Sequence, residues 1–283
     1  MAYDPVSGKI VLFGGGDATH VLHDTWTFDG TTWTKVKTPA SPPGRAAAAM
    51  AFDQPSGKLV LFGGINTQHL LHDTWLWDGA TSTWSKAPVK PAPTRAVGPM
   101  LFSNPTSGEA MIFGGFNVRL RVPNLHDTYR WAGEAWQKLD PATAPIGRGW
   151  GIAVYDPVRN NVVLTGGEGD TIRTDNTWTW DGTNWTEVSP ATQVEDLIGA
   201  GSAFDEDLAV AIVFGGFSTA VGKDANETWM WDGTNWNQLA PQKSPSAREG
   251  MGLAYDPVHH QVVMFGGERG DSQHVEGDTW TFQ

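Results

Sequence analysis

Six short stretches of the chain are apolar at nearly every position and end in a glycine pair: IVLFGG at 10–15, LVLFGG at 59–64, AMIFGG at 110–115, VVLTGG at 162–167, AIVFGG at 211–216 and VVMFGG at 262–267. Each is too short for a helix, and unbroken apolarity predicts a strand covered on both faces. A loop of variable length follows. Then comes an alternating segment, DTWTF, DTWLW, DTYRW, NTWTW, ETWMW or DTWTF, whose aromatic residues share one face of a second strand. In four copies Asp-Gly comes next (Asp29-Gly30, Asp78-Gly79, Asp181-Gly182 and Asp232-Gly233), a hairpin-turn signal. It leads to an outermost strand carrying Trp33, Trp84, Trp136, Trp185 or Trp236. Upstream of each apolar run lies a further segment such as RAAAAMAFD, joined to it by a turn such as DPVSGK. The unit is therefore four strands, A to D in chain order.

The first glycines of the pairs, at 14, 63, 114, 166, 215 and 266, are 49 to 52 residues apart, so six copies fill the chain. The glycine doublet, the aromatic after Asp-Thr and the Trp of strand D resemble the kelch repeat in layout and length. That resemblance covers all 283 residues. It implies an all-β fold, a six-bladed kelch β-propeller with four antiparallel strands per blade, read as one domain over 1–283. The blades fall approximately at 1–37, 44–88, 94–140, 147–189, 197–240 and 247–283. The terminal blades are expected to be incomplete. The first copy has only Met1 to Asp4 of strand A and the last stops at Gln283 without a strand D, which predicts an unpaired edge. A partial gene product and closure by another chain are both open. The wording DTWTWDGTNW is similar to repeats of bacterial secreted or surface proteins, which implies an extracellular or periplasmic setting.

Composition removes several function classes. A formal net charge of −12 argues against a general nucleic-acid surface and against anionic membranes. No apolar run reaches membrane-spanning length. The N-terminus, MAYDPVSGK, lacks a charged region followed by an apolar stretch, so no signal peptide is expected in this chain, a cleaved precursor leader remaining open. The absence of Cys removes disulfides, thiolate nucleophiles and Cys-ligated zinc. It also excludes the copper chemistry of galactose oxidase, a kelch enzyme that needs a Tyr cross-linked to Cys. No cofactor is expected.

Alternating strand direction sends the B–C loops and D–A connections to one face and the A–B and C–D turns to the other. Long, unequal loops on the first face, including Phe116 to His126 and Phe217 to Ala225, direct the search for function there. Arg45, Arg95, Arg148 and Arg248 open strand A in four copies and are expected to ring the mouth of the central channel; Leu197 takes the place in the fifth. Guanidinium groups so placed would hold a carboxylate, sulfate or phosphate bidentately, and animal kelch propellers that bind acidic peptides use arginines at a similar place. Pairing of each Arg with an acidic residue of its own or the next blade is the alternative. Fourteen of the 15 Trp occupy repeat positions on strands C and D. Trp150 does not, and alternation puts it on the same side as Arg148, where it would stack on a sugar or aromatic ligand or plug the channel.

His23, His72 and His126 precede three strand C aspartates but lie too far apart on a ring to share one ion. Glu268, Asp271 and His274 form a weaker metal alternative, similar to the iron triad of plant nitrile-specifier proteins but spaced by three residues instead of four. Asp17, Asp170 and Asp271 suit turn organisation. The preferred reading is a binding module that recognises an acidic glycan or acidic peptide through Arg45, Arg95, Arg148, Trp150 and Arg248, with Arg119 and Arg121 as further loop contacts. A sialic-acid-mutarotase-like or metal-assisted enzyme on the same face is the alternative and predicts a carboxylate of raised pKa beside the arginines, Glu249 being the nearest acid to Arg248. A third reading is a scaffold for protein partners, contacted through Arg119, Leu120, Arg121 and Val122.

Overall fold

The computed structural model describes residues 1–17, 19–88, 93–117, 124–169, 174–195, 197–270 and 274–283, and among them there is no helix. Five four-stranded sheets ordered A-B-C-D and a three-stranded one ordered A-B-C follow one another along the chain, and three smaller sheets are formed by segments outside these strands. The second sheet, with A at Ala49–Asp53, B at Lys58–Phe62, C at Thr74–Asp78 and D at Thr83–Lys86, is representative. The sixth has strands Gly252–Asp256, Gln261–Phe265 and Thr279–Phe282 and no fourth strand among the described residues. Strand A of every sheet contacts strand A of the next, and Ala2–Asp4 contacts Gly252–Asp256. The sheets are thus blades of a closed β-propeller.

The B strands sit in the middle of each blade and are covered on both sides, as their unbroken apolarity requires. Ala110–Phe113 and Val210–Phe214 are buried at every residue. A buried Asp or Asn (Asp4, Asp53, Asn104, Asp156, Asp205 and Asp256) ends each A segment. In five blades its Oδ1 accepts the backbone N–H two residues on, as from Val6 to Asp4 and from Thr106 to Asn104, which folds the A–B turn.

Blades are joined by tryptophan. The Trp of strand D donates its indole N–H to the first Thr of strand C in the preceding blade: Trp84 to Thr25, Trp136 to Thr74, Trp185 to Thr128, Trp236 to Thr177 and, across the closure, Trp33 to Thr279, all at 2.9–3.1 Å. Each ring also lies against the aromatic end of its own strand C, at 4.9–5.3 Å between centroids. The buried indole keeps a partner for its one polar atom, which is what allows so large a side chain to fill the interblade space.

Candidate functional site

Arg45, Arg148 and Arg248 are almost wholly buried, at 0–1% exposure. Arg45 forms a two-pronged pair with Asp73 at 2.8 and 3.0 Å and also donates to the carbonyls of Gly63 and Pro43. Arg248 repeats this on Asp278, at 2.5 and 3.1 Å, and on the carbonyls of Gly266 and Ser246. Arg148 uses Asn176 at 2.8 Å and the carbonyls of Thr174, Gly166 and Ile146. Each guanidinium ties the start of strand A to the glycine doublet after B and the entry to C of its own blade. Pairing with an acidic residue of the same blade, the alternative that the sequence left open, describes Arg45 and Arg248, whereas Arg148 is held by an amide of its own blade.

Arg95 does not occupy the equivalent place. In five doublets the second glycine donates its N–H to the residue that opens the next blade: Gly15 to Arg45, Gly115 to Arg148, Gly167 to Leu197, Gly216 to Arg248, and in the third blade Gly64 to Ala96. Ala96 is therefore the counterpart of Arg45, and Arg95, one residue earlier, is exposed with its carbonyl accepting from Asn117 Nδ2.

Two residues after these positions the backbone turns left-handed in five blades, at Ala47, Gly98, Trp150, Gly199 and Gly250, with φ between 51° and 71°. Successive members are hydrogen bonded around the axis: Gly98 N–H to Ala47, Trp150 to Gly98, Gly199 to Trp150 and Gly250 to Gly199, at 2.8–2.9 Å. This collar narrows the channel on the face of the long loops. Trp150 sits in it with a half-buried indole, 5.3 Å from the Phe116 ring and over Gly98, where a Cβ would lie 2.6 Å from the indole. Strand alternation does not relate Trp150 to Arg148, because φ is positive at 150 and the strand restarts only at Ile152.

The larger opening is at the other end. Residues of all six A strands line a central cavity of about 340 Å³, which reaches the A–B turns at Pro157, Glu206 and Pro257. The residue before each turn Asp or Asn lines its wall: Tyr3, Phe52, Ser103, Tyr155, Phe204 and Tyr255. Tyr255 donates its hydroxyl to Asp207 at 2.7 Å, and Tyr155 donates to Asn160 at 3.4 Å. Burial first, and then nearby carboxylates, raise the pKa of all three tyrosines: Asp256, Asp4 and Glu206 act on Tyr3, Asp156 on Tyr155, and Asp207 with its hydrogen bond on Tyr255. The mouth is aromatic, lined by phenolic oxygens and negative at its rim.

The family model described as the kelch motif matches residues 48–91, the span that holds strands A to D of the second blade. The second blade thus carries a kelch motif, and the other blades repeat its strand order. No curated protein matches it. Kelch repeats are commonly used as binding and interaction scaffolds, and no described helix is long and apolar enough to cross a membrane.

On the loop face of this kelch ring, burial, followed by the charges of Asp224 and Glu268, pushes Glu249 up to about 7. The backbones of Glu249 and Glu268 exchange hydrogen bonds at 3.0 and 2.9 Å. Glu268 and His274 fall on one short ribbon, paired with Val275 and Arg269 respectively, whereas Asp271 lies outside the described residues. Among the described residues no three His, Asp or Glu converge as a metal site. His23, His72 and His126 are exposed. Arg119, Leu120, Arg121, Val122 and Asp170 lie outside the described residues. The Asp17 carboxylate accepts the N–H groups of Thr19 and His20, which organises its turn.

Sequence reasoning missed the channel mouth. Its signal was an aromatic residue immediately before the turn Asp in five copies: Tyr3-Asp4, Phe52-Asp53, Tyr155-Asp156, Phe204-Asp205 and Tyr255-Asp256.

Proposed function

We propose that this chain is a binding module whose ligand enters the central channel from the face of the A–B turns. The observation that carries the reading is the cavity of about 340 Å³ walled by Tyr3, Phe52, Tyr155, Phe204 and Tyr255, within the size range of small-ligand sites. Aromatic faces and phenolic oxygens that can accept from sugar hydroxyls suit a sugar ring, and the carboxylates of Glu206 and Asp207 at the rim favour an uncharged glycan end over an acidic one. Of the four strand A arginines, only Arg95 is exposed to recognise an acidic glycan or acidic peptide on the loop face, since Arg45, Arg148 and Arg248 are enclosed in their own blades.

Thermal shift against neutral sugars, acidic sugars and acidic peptides tests this. A ligand at a hundred times its Kd adds about 2.7 kcal/mol to stability. Stabilisation by a neutral sugar that Tyr155→Ala removes and Arg95→Ala leaves intact is expected. Stabilisation by acidic ligands alone, lost in Arg95→Ala, would return the site to the loop face.

Glu249 supports a second reading, an enzyme of the mutarotase-like kind, because a carboxylate that titrates near 7 can hold or release a proton at neutral pH. Acceleration of sugar-anomer exchange that disappears in Glu249→Gln would establish it; exchange at the uncatalysed rate would dismiss it.

A further inference from the structure

The central cavity is walled at two levels. Nearest the A–B turns stand the residues that precede each turn Asp or Asn, Tyr155 and Phe204 among them. Two residues further in, on the same face of each A strand, stand Met1, Met50, Leu101, Ala153, Ser202 and Leu253. The levels are about 7 Å apart along the strand. Methionine or leucine occupies the deeper level in four blades, whereas the fourth and fifth, with A strands Ile152–Asp156 and Gly201–Asp205, have alanine and serine there. The deep end of the cavity is therefore widest toward these two adjacent blades, in a recess beneath Tyr155 and Phe204.

Ser202 is the one residue with a polar side chain at the deeper level. It is half-buried, and among the described residues its Oγ has no hydrogen-bond partner. The other hydroxyls nearby are engaged. Ser103 donates to the carbonyl of Phe52 at 2.7 Å, Tyr255 to Asp207 and Tyr155 to Asn160. The rest of the recess, Ala153, Val154 and Ala203, is apolar and uncharged.

We infer that this recess takes the exocyclic hydroxymethyl group of a neutral hexose, which makes Ser202 and Ala153 the residues that select the sugar. The inference rests on the channel being the glycan site. With a pyranose ring at the aromatic level, only a group that reaches one level deeper meets Ser202, and the hydroxymethyl stands furthest from the ring. It brings one hydroxyl to one serine, and its methylene lies against the small apolar side chains. A 6-deoxy sugar would fit the same space and leave Ser202 without a partner. A uronic acid would place an ionised carboxylate where a single hydroxyl answers it.

Isothermal titration calorimetry tests this with the methyl glycosides of D-glucose, D-galactose and D-mannose, their 6-deoxy counterparts and the corresponding uronic acids. For the hexose that binds the parent protein best, the 6-deoxy counterpart should bind about fivefold more weakly and the uronic acid at least about tenfold more weakly. Ser202→Ala should weaken the hexose about fivefold and leave the 6-deoxy sugar unchanged, an unchanged affinity that also shows the variant to be folded. Ala153→Leu, which fills the recess, should weaken the hexose at least about tenfold. Equal binding of the hexose and its 6-deoxy counterpart by the parent, or equal losses for both in Ser202→Ala, would overturn the recess; if Tyr155→Ala still abolishes binding, the channel reading stands without it. Failure of every neutral sugar to bind the parent would overturn both.

Discussion

At the scale of single residues, Trp150 and Glu249 are held in states that their side chains do not favour. Trp150 has φ of 53°, whereas three of the other four collar positions are Gly and the fourth is Ala47. A left-handed residue with a Cβ costs about 1 kcal/mol more than Gly. Replacing Trp150 by Gly or by Ala loses the same contact with Phe116, but only Gly sheds the backbone cost. Trp150→Gly should therefore be more stable than Trp150→Ala by about 1 kcal/mol in urea unfolding; the reverse order would mean that the collar geometry is not kept. Glu249 is governed by protonation. Its ordinary value is 4.5 and the folded value is about 7, so between these the folded protein keeps a proton that the unfolded chain releases. Stability from this group is complete below pH 4.5 and is lost as pH rises to about 7. Glu249→Gln should lose that slope and gain stability over the parent at pH 8 relative to pH 4. Parallel pH profiles for the two proteins would contradict this.

At the scale of elements, the buried arginines act as rivets between strand A, the glycine doublet and strand C. Arg45 and Arg248 have carboxylate partners, and Arg148 has Asn176 in the same role. Burial alone would raise the pKa of Asp73, but the hydrogen bonds and charge of Arg45 outweigh it and hold it below the usual carboxylate value. Asp73→Ala should cost about 3–5 kcal/mol by leaving a buried charge without its partner. Asp73→Asn should cost distinctly less, because the fourth blade holds its Arg with an amide; equal losses on chemical denaturation would refute that ranking. The B strands, the C–D hairpins and the positions of the tryptophans were legible in the sequence, because apolar runs, alternation and Asp-Gly turns repeat at a near-constant period. The places of Arg95 and Trp150 were not. Aligning the copies by their arginines put Arg95 one residue out, since register is set by the backbone bond from Gly64 to Ala96, which no side chain reports. Alternation failed at Trp150 because it presumes φ below zero throughout a strand.

At the scale of the whole molecule, the ring is closed by contacts between its first and sixth blades. Ala2–Asp4 meets Gly252–Asp256 near the axis, and Trp33 reaches Thr279 at the rim. Trp33 is only half-buried, whereas Trp84, Trp136, Trp185 and Trp236 are 0–3% exposed. The closure seam and the open edge of Thr279–Phe282 therefore lie side by side in the least covered part of the propeller. Opening free energies follow local burial and hydrogen bonding, so amide exchange should be fastest, among the C strands, at Thr279–Phe282, and slowest in strands with neighbours on both sides, such as Thr177–Trp180. Equal exchange rates in these two strands would contradict that ordering.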